Sequence, residues 1–346
     1  MDRAWRIVES GSRDCGFKPG ACSLLLMLAA LWGCGGGSSS QPFAYSVKVT
    51  TFAKSVQGSY TQPDSITFNK TNVFIGFGNK VATDGSDGKS STIVEYTMDG
   101  KKVQTFKVKG HNDGLKIDPA SGLLWAMQNE DANPSLAIID PASASQTVYS
   151  FGPNPCGGGY DDIVFDGGQV FLSCSNPSNN PNTGAAIVSV TLSGTTASVT
   201  PVLLGDASAV NKVTGKSVTL NLQDPDSMIL DPSGDVVLDS QADSELVFVS
   251  NSGTPSQAVK VLPITFLGAP TQLDDTVFPT TAVGTILIAG RDAETIWAMK
   301  SVGFPPGSAF SATGDTVSQL NVATGALSVV LSTTGASTHG MAFIPG

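Results

Sequence analysis

The sequence predicts an all-β protein built as a β-propeller, and three observations predict it. A short phrase recurs: Asp64-Ser-Ile-Thr-Phe68, Asp113-Gly-Leu-Lys-Ile117, Asp161-Asp-Ile-Val-Phe165, Asp226-Ser-Met-Ile-Leu230, Asp274-Asp-Thr-Val-Phe278 and His339-Gly-Met-Ala-Phe343. The intervals between heads are 49, 48, 65, 48 and 65 residues, the range in which one repeat is one supersecondary unit. Second, helical signals are nearly absent. Of 29 acids, 24 are Asp and 5 are Glu, and there are 38 Gly and 20 Pro. Asp, Gly and Pro favour turns, whereas Glu favours helices. Third, the phrase alternates apolar and polar positions as a short strand does, and a second apolar strand follows it after a turn.

Each element of the unit has its own reason. The phrase, with a polar head, a small or polar second residue and apolar third and fifth positions, is the inner strand. Turns such as Asp118-Pro-Ala-Ser-Gly122, Asp166-Gly-Gly168 and Asp231-Pro-Ser-Gly234 end it. The second strands are Val73–Phe77, Leu123–Met127, Val170–Ser173, Val236–Leu238 and Ile286–Ile288. Two more strands close the first unit, Thr92–Tyr96 and Lys102–Phe106. Four strands in about 48 residues make a propeller blade. Five full units and a sixth phrase point to six blades, with five or seven as the alternatives. Tyr45–Phe52 is expected to lend an outer strand to the last blade. Segments Ala309–Thr313, Thr316–Asn321 and Leu327–Leu331 are expected to complete it. Asp206–Ser217 reads as an inserted loop. Residues 43–346 therefore form one domain.

The N-terminus reads as an address. Basic residues precede an apolar run, Ser23–Trp32, which is too short to span a bilayer but fits the core of a secretory signal. Leu31-Trp-Gly-Cys34 and a Gly/Ser tether follow, and this resembles a bacterial lipoprotein signal. The resemblance implies that residues 1–33 are removed, that Cys34 carries the lipid, and that residues 34–42 are a flexible tether. The protein is then expected in the bacterial cell envelope, lipid-anchored, facing the periplasm or the outer surface. Cys156 and Cys174 flank a predicted hairpin and are either a disulfide, as an oxidising compartment allows, or two reduced, half-buried thiols.

At the phrases the sequence resembles the calcium-dependent six-bladed propellers of the SMP-30/gluconolactonase group and, more loosely, NHL-repeat proteins. His111-Asn-Asp-Gly-Leu-Lys-Ile-Asp-Pro119 and Pro225-Asp-Ser-Met-Ile-Leu-Asp-Pro-Ser-Gly234 carry the resemblance. It implies Asn112 as an amide metal ligand and Asp226 as an acidic one. The group's first-blade Glu is replaced here by Gln62-Pro63-Asp64, and its middle-blade Asn-Gly by Tyr160-Asp161-Asp162. A metal site would then be Asp64, Asn112, Asp161 and Asp226, whose oxygens suit Ca²⁺. The alternative role for these Asp residues is to accept bonds from loop N–H groups.

Other chemistries find little support. The net charge of −10 argues against a nucleic-acid partner. No Cys/His cluster suggests zinc, and no glycine run precedes a Walker lysine. The two histidines, His111 and His339, both fall at phrase heads and are weak candidates for proton transfer. Two functions follow as expectations. One is a membrane-tethered scaffold for a small-molecule or protein ligand. The other is a metal-dependent hydrolase of lactones or related esters.

Overall fold

The computed structural model describes residues 46–346. The expected signal, Cys34 and the tether lie outside the described residues. Within them the chain is almost entirely β, with one short 3-10 turn at Gln241–Asp243. Six antiparallel units form the blades of a propeller, and the six phrases supply their inner strands.

The first four blades are continuous in sequence. Blade 1 comprises Pro63–Phe68, Asn72–Phe77, Ser90–Thr97 and Lys102–Lys109. Blade 2 comprises Asn112–Ile117, Leu124–Gln128, Ser135–Ile139 and Gln146–Phe151. Blade 3 comprises Tyr160–Asp166, Gln169–Cys174, Ala185–Ser193 and Thr196–Leu204. Blade 4 comprises Pro225–Leu230, Val236–Ser240, Glu245–Ser250 and Ala258–Pro263. The segment expected as an inserted loop instead forms a hairpin, Ser208–Asn211 with Ser217–Thr219, which pairs in parallel with the outer strand of blade 4. Cys156 and Cys174 are bonded, tying the lead-in of blade 3 to the end of its second strand.

The last two blades are interlocked. Blade 5 has the inner strand Thr276–Val277, followed in space by Ala309–Thr313, Thr316–Leu320 and Leu327–Ser332. Blade 6 has the inner strand Thr338–Pro345, then Gly284–Gly290, Thr295–Ser301 and, outermost, Lys48–Lys54 from the beginning of the domain. The outer strand falls where the sequence placed it. The middle strands do not: Ile286–Ile288 belongs to blade 6, and the segments expected there belong to blade 5. The reason lies in backbone pairing. Pro279 follows the fifth phrase closely and has no N–H to donate, and the inner strand of blade 5 pairs at only two residues. The strand that carries the sixth phrase has eight residues, and Gly284–Gly290 pairs with six of them. More backbone groups are satisfied that way.

Closure shows in the core. Six apolar clusters occupy the six junctions between neighbouring blades. One packs Phe74, Ile93 and Val108 of blade 1 on Leu115 and Leu124 of blade 2. Another packs Ile66 and Ile75 of blade 1 on Leu287 and Ala298 of blade 6, so that the first and last blades meet. Trp125 and Trp297, read from the sequence as blade packing, lie in the clusters between blades 2 and 3 and between blades 5 and 6.

Candidate active site at the acidic mouth of the channel

All six inner strands run the same way, so their polar heads gather at one end of the central channel, the mouth. A β-bulge re-aims the heads. In blades 1 to 4 the register shifts between Pro63 and Ile66, Asn112 and Leu115, Tyr160 and Ile163, and Pro225 and Met228. An extra residue at such a point turns a side chain off the normal alternation. Asp64, Asp113, Asp161, Asp226 and Asp274 thereby line one chamber of about 30 Å³, which is room for a water or a single ion. His339 takes the sixth place.

The loops after the second strands return to the same mouth and supply partners. Glu130 follows Leu124–Gln128, Gln241 follows Val236–Ser240, and Arg291 follows Gly284–Gly290. The sequence reading missed all three. The residue just beyond each second strand is the signal that would have found them, because antiparallel pairing brings it back beside the heads.

The ring has two electrical halves. On one side, acids face cations. His339 Nδ1 is 2.9 Å from Asp274 Oδ2 and 3.6 Å from Asp64 Oδ1, and Arg291 Nη1 is 3.6 Å from Asp64 Oδ2. Burial lowers the affinity of His339 for its proton, but Asp274 and Asp64 together outweigh this and raise its pKa to about 9. On the other side, acids face acids. Asp113 shares a hydrogen bond with Glu130, and Asp161 shares one with Asp226. Burial, then the Asp113 charge, pushes Glu130 well up. Burial, then Asp113 and Asp226, does the same to Asp161. Burial, then Asp274 and Asp113, raises Asp226. Gln241 Nε2 bridges Asp226 and Asp274, at 3.1 and 3.3 Å. On the second strand of blade 4 lies Asp239, 2% exposed, with no hydrogen bond to either carboxylate oxygen.

Below the ring, Lys116 Nζ lies 3.0 Å from Asp162 Oδ2. Burial works against its charge, but Asp162 and Asp275 hold the ammonium protonated above its ordinary range.

The residues singled out in sequence fall as follows. Asp64, Asp161 and Asp226 line the chamber. Asn112 does not. It is fully buried, and its amide donates to the carbonyls of Gly114 and Met127, at 3.2 and 2.8 Å. The channel position of its blade belongs to Asp113. His111 is 1% exposed, with Nδ1 3.9 Å from Glu130 Oε1.

Two triads have the chemistry to hold a divalent cation. Asp64, Asp274 and His339 offer ligand atoms within 4.8 Å of one another, and so do His111, Asp113 and Glu130. The donors fit such an ion: hard carboxylate oxygens dominate, with an imidazole nitrogen at each end. A cation would also relieve the carboxylates that now raise one another's pKa.

No protein-family model and no curated protein matches the chain. Solved structures do. A protein of unknown function from Bacteroides caccae is 9% identical over 84% of this chain and 89% of its own, with a TM-score of 0.50. The likeness is one of fold. A periplasmic gluconolactonase from Pseudomonas aeruginosa is 10% identical, with 82% and 88% coverage and a TM-score of 0.48. A virginiamycin B lyase from Staphylococcus aureus is 12% identical, with 87% and 96% coverage and a TM-score of 0.47.

Proposed function

We propose that this is a lipid-anchored envelope propeller that hydrolyses lactones or related esters at its acidic mouth with the help of a divalent cation. The observation that supports this is the gathering of one polar head from every blade, five Asp and His339, around one small chamber. Perturbed acids clustered in a channel are the usual mark of a chemical site. Asp64, Asp274 and His339, together with the Asp113, Asp161, Asp226 and Glu130 carboxyls, would hold the ion, for which Ca²⁺ is the first candidate. When bound it would polarise a carbonyl and acidify a water. The chain's own groups do the rest. Asp274 and Asp64 orient the His339 ring, which gives up its proton to serve as a ligand. Glu130, hydrogen-bonded to Asp113 and pushed well up by burial and the Asp113 charge, is placed to hold or pass a proton. Arg291 holds Asp64 in place.

One observation favours a second reading, a binding scaffold without catalysis. The ring is already paired: Arg291 and His339 offset two acids, and four other acids pair with each other. Metal analysis of protein purified without chelator separates the two. The hydrolase reading expects one tightly held divalent ion per chain. In Asp64→Asn and Asp226→Asn it expects metal affinity to fall at least about tenfold, with loss of lactone turnover. Metal-free protein whose melting ignores added cations, and which turns over no lactone, leaves the scaffold. For the anchor, Cys34→Ser is expected to move the protein from membrane to soluble fractions, and unchanged fractionation rejects it.

A further inference from the structure

At the far end from the mouth the channel changes character. The inner strands end there in Phe68, Ile117, Phe165, Leu230, Phe278 and Phe343, one large apolar side chain from each blade. These six line a cavity of about 420 Å³. That lies within the range of about 300–1,000 Å³ common for small-molecule sites. For scale, an apolar cavity of about 150 Å³ accepts benzene. The polar exceptions in the wall are Thr67, Thr280 and Lys116. Lys116 borders both chambers and so stands at the inner end of this one.

We propose that this foot cavity is a second binding site, for an uncharged molecule with an alkyl or acyl chain and a single hydrogen-bond acceptor. Six apolar side chains around one axis suit a chain and supply no hydrogen-bond partners to a sugar or a peptide backbone. The Lys116 ammonium has three N–H donors, and its one ion-pair contact is Asp162. Its side chain keeps 27% of its surface exposed and borders the apolar cavity. The guest's head should be neutral. Asp162 already balances the lysine, so a carboxylate would bring an uncompensated negative charge into an apolar chamber. An ester carbonyl or a hydroxyl meets no such penalty.

The route of the chain points to a source. Lys48 pairs with Lys300, and Ser301 pairs with Gly284, which pairs with Pro345 at the foot. Ser301 Oγ donates to the Ser46 carbonyl. Ser46 therefore leaves the fold at the end where the cavity opens. If Cys34 carries lipid, as the anchor reading holds, the intervening chain reaches at most roughly 40 Å, and the cavity stays near a bilayer rich in such molecules.

The test uses the full chain with Cys34→Ser, so that its own lipid is absent, and calorimetric titration with 1-decanol and decanoate. Saturable one-to-one binding of decanol is expected, with decanoate weaker by about tenfold or more. Phe165→Gln and Leu230→Gln, on different blades, should each weaken decanol by a similar factor while leaving metal content and lactone turnover unchanged. Trp125 lies edge-on to Phe165, ring centres 5.3 Å apart, so its fluorescence gives a readout that needs no variant. Absence of saturable decanol binding, equal affinity for decanoate, or wild-type binding by a folded variant would each overturn the proposal. Metal content and turnover report on the other mouth, so the two readings can fail separately.

Discussion

Asp64 is 5% exposed, and its carboxyl titrates near 7. Burial is the main cause and the Asp113 charge the next, against the pull of His339 and Arg291. Asp275 is also raised to about 7, by burial first, with Lys116 and the Met341 N–H opposing. The sign for stability follows. An acid with a native pKa near 7 and an ordinary value of 3.8 binds its proton more tightly when folded. Folding then loses stability as pH rises from about 4 to 7. His339 adds a second stage. Its native pKa is near 9 against 6.5, so its contribution is whole below 6.5 and is lost as pH rises through 9. Chelator-treated protein should therefore melt progressively lower from pH 4 to 9, and added divalent cation should restore the upper part. A flat profile from differential scanning fluorimetry would remove the acid cluster from the account. The heads themselves were legible because they repeat. Asp113 shares the register of Asp64, Asp161, Asp226 and Asp274, whereas Asn112 rests on family resemblance alone. Glu130, Gln241 and Arg291 repeat in place but not in residue type, and so left no pattern to read.

At the level of the strand, the residue after each head sets the contact with the next blade. Ser65 Oγ donates to the Asp113 carbonyl, and Ser227 Oγ donates to the Asp274 carbonyl at 2.7 Å. Asp162 accepts the Met228 N–H at 2.9 Å, and Asp275 accepts the Met341 N–H at 2.6 Å. At the two remaining junctions the residue is glycine. A Cβ on Gly114 would collide with the Asp161 carbonyl, and one on Gly340 with the Asp64 carbonyl. The sequence showed this position as small or polar, which is the right pattern. It did not show why, because each partner lies a whole blade away. Gly114→Ala should cost about 1–3 kcal/mol, since backbone must move to admit a methyl group. Ser227→Ala loses one hydrogen bond and should cost about 1 kcal/mol. Urea melts that rank the two the other way round would mean that the junctions yield more easily than this packing implies.

The whole molecule was legible in number and not in wiring. Six phrases became six blades, and the early segment became the outer strand of the last one. The division of strands between blades 5 and 6 was not readable, since both sets look alike locally and only long-range pairing decides between them. The ring is fastened by Lys48–Lys54, which pairs with Thr295–Ser301. Deleting that strand would bare an apolar edge and should lower the melting temperature and promote aggregation, both measurable by light scattering during a thermal ramp. The interlock carries a consequence for biogenesis. A chain emerging from its N-terminus can finish four blades in turn. It must then leave the fifth with a single short strand, lay down the middle of the sixth, and go back. Blade 5 is complete only at Leu327–Ser332, and blade 6 only when Thr338–Pro345 arrives. A chain interrupted between Gly284 and Ser332 carries two unfinished sheets at once, each with an unpaired edge.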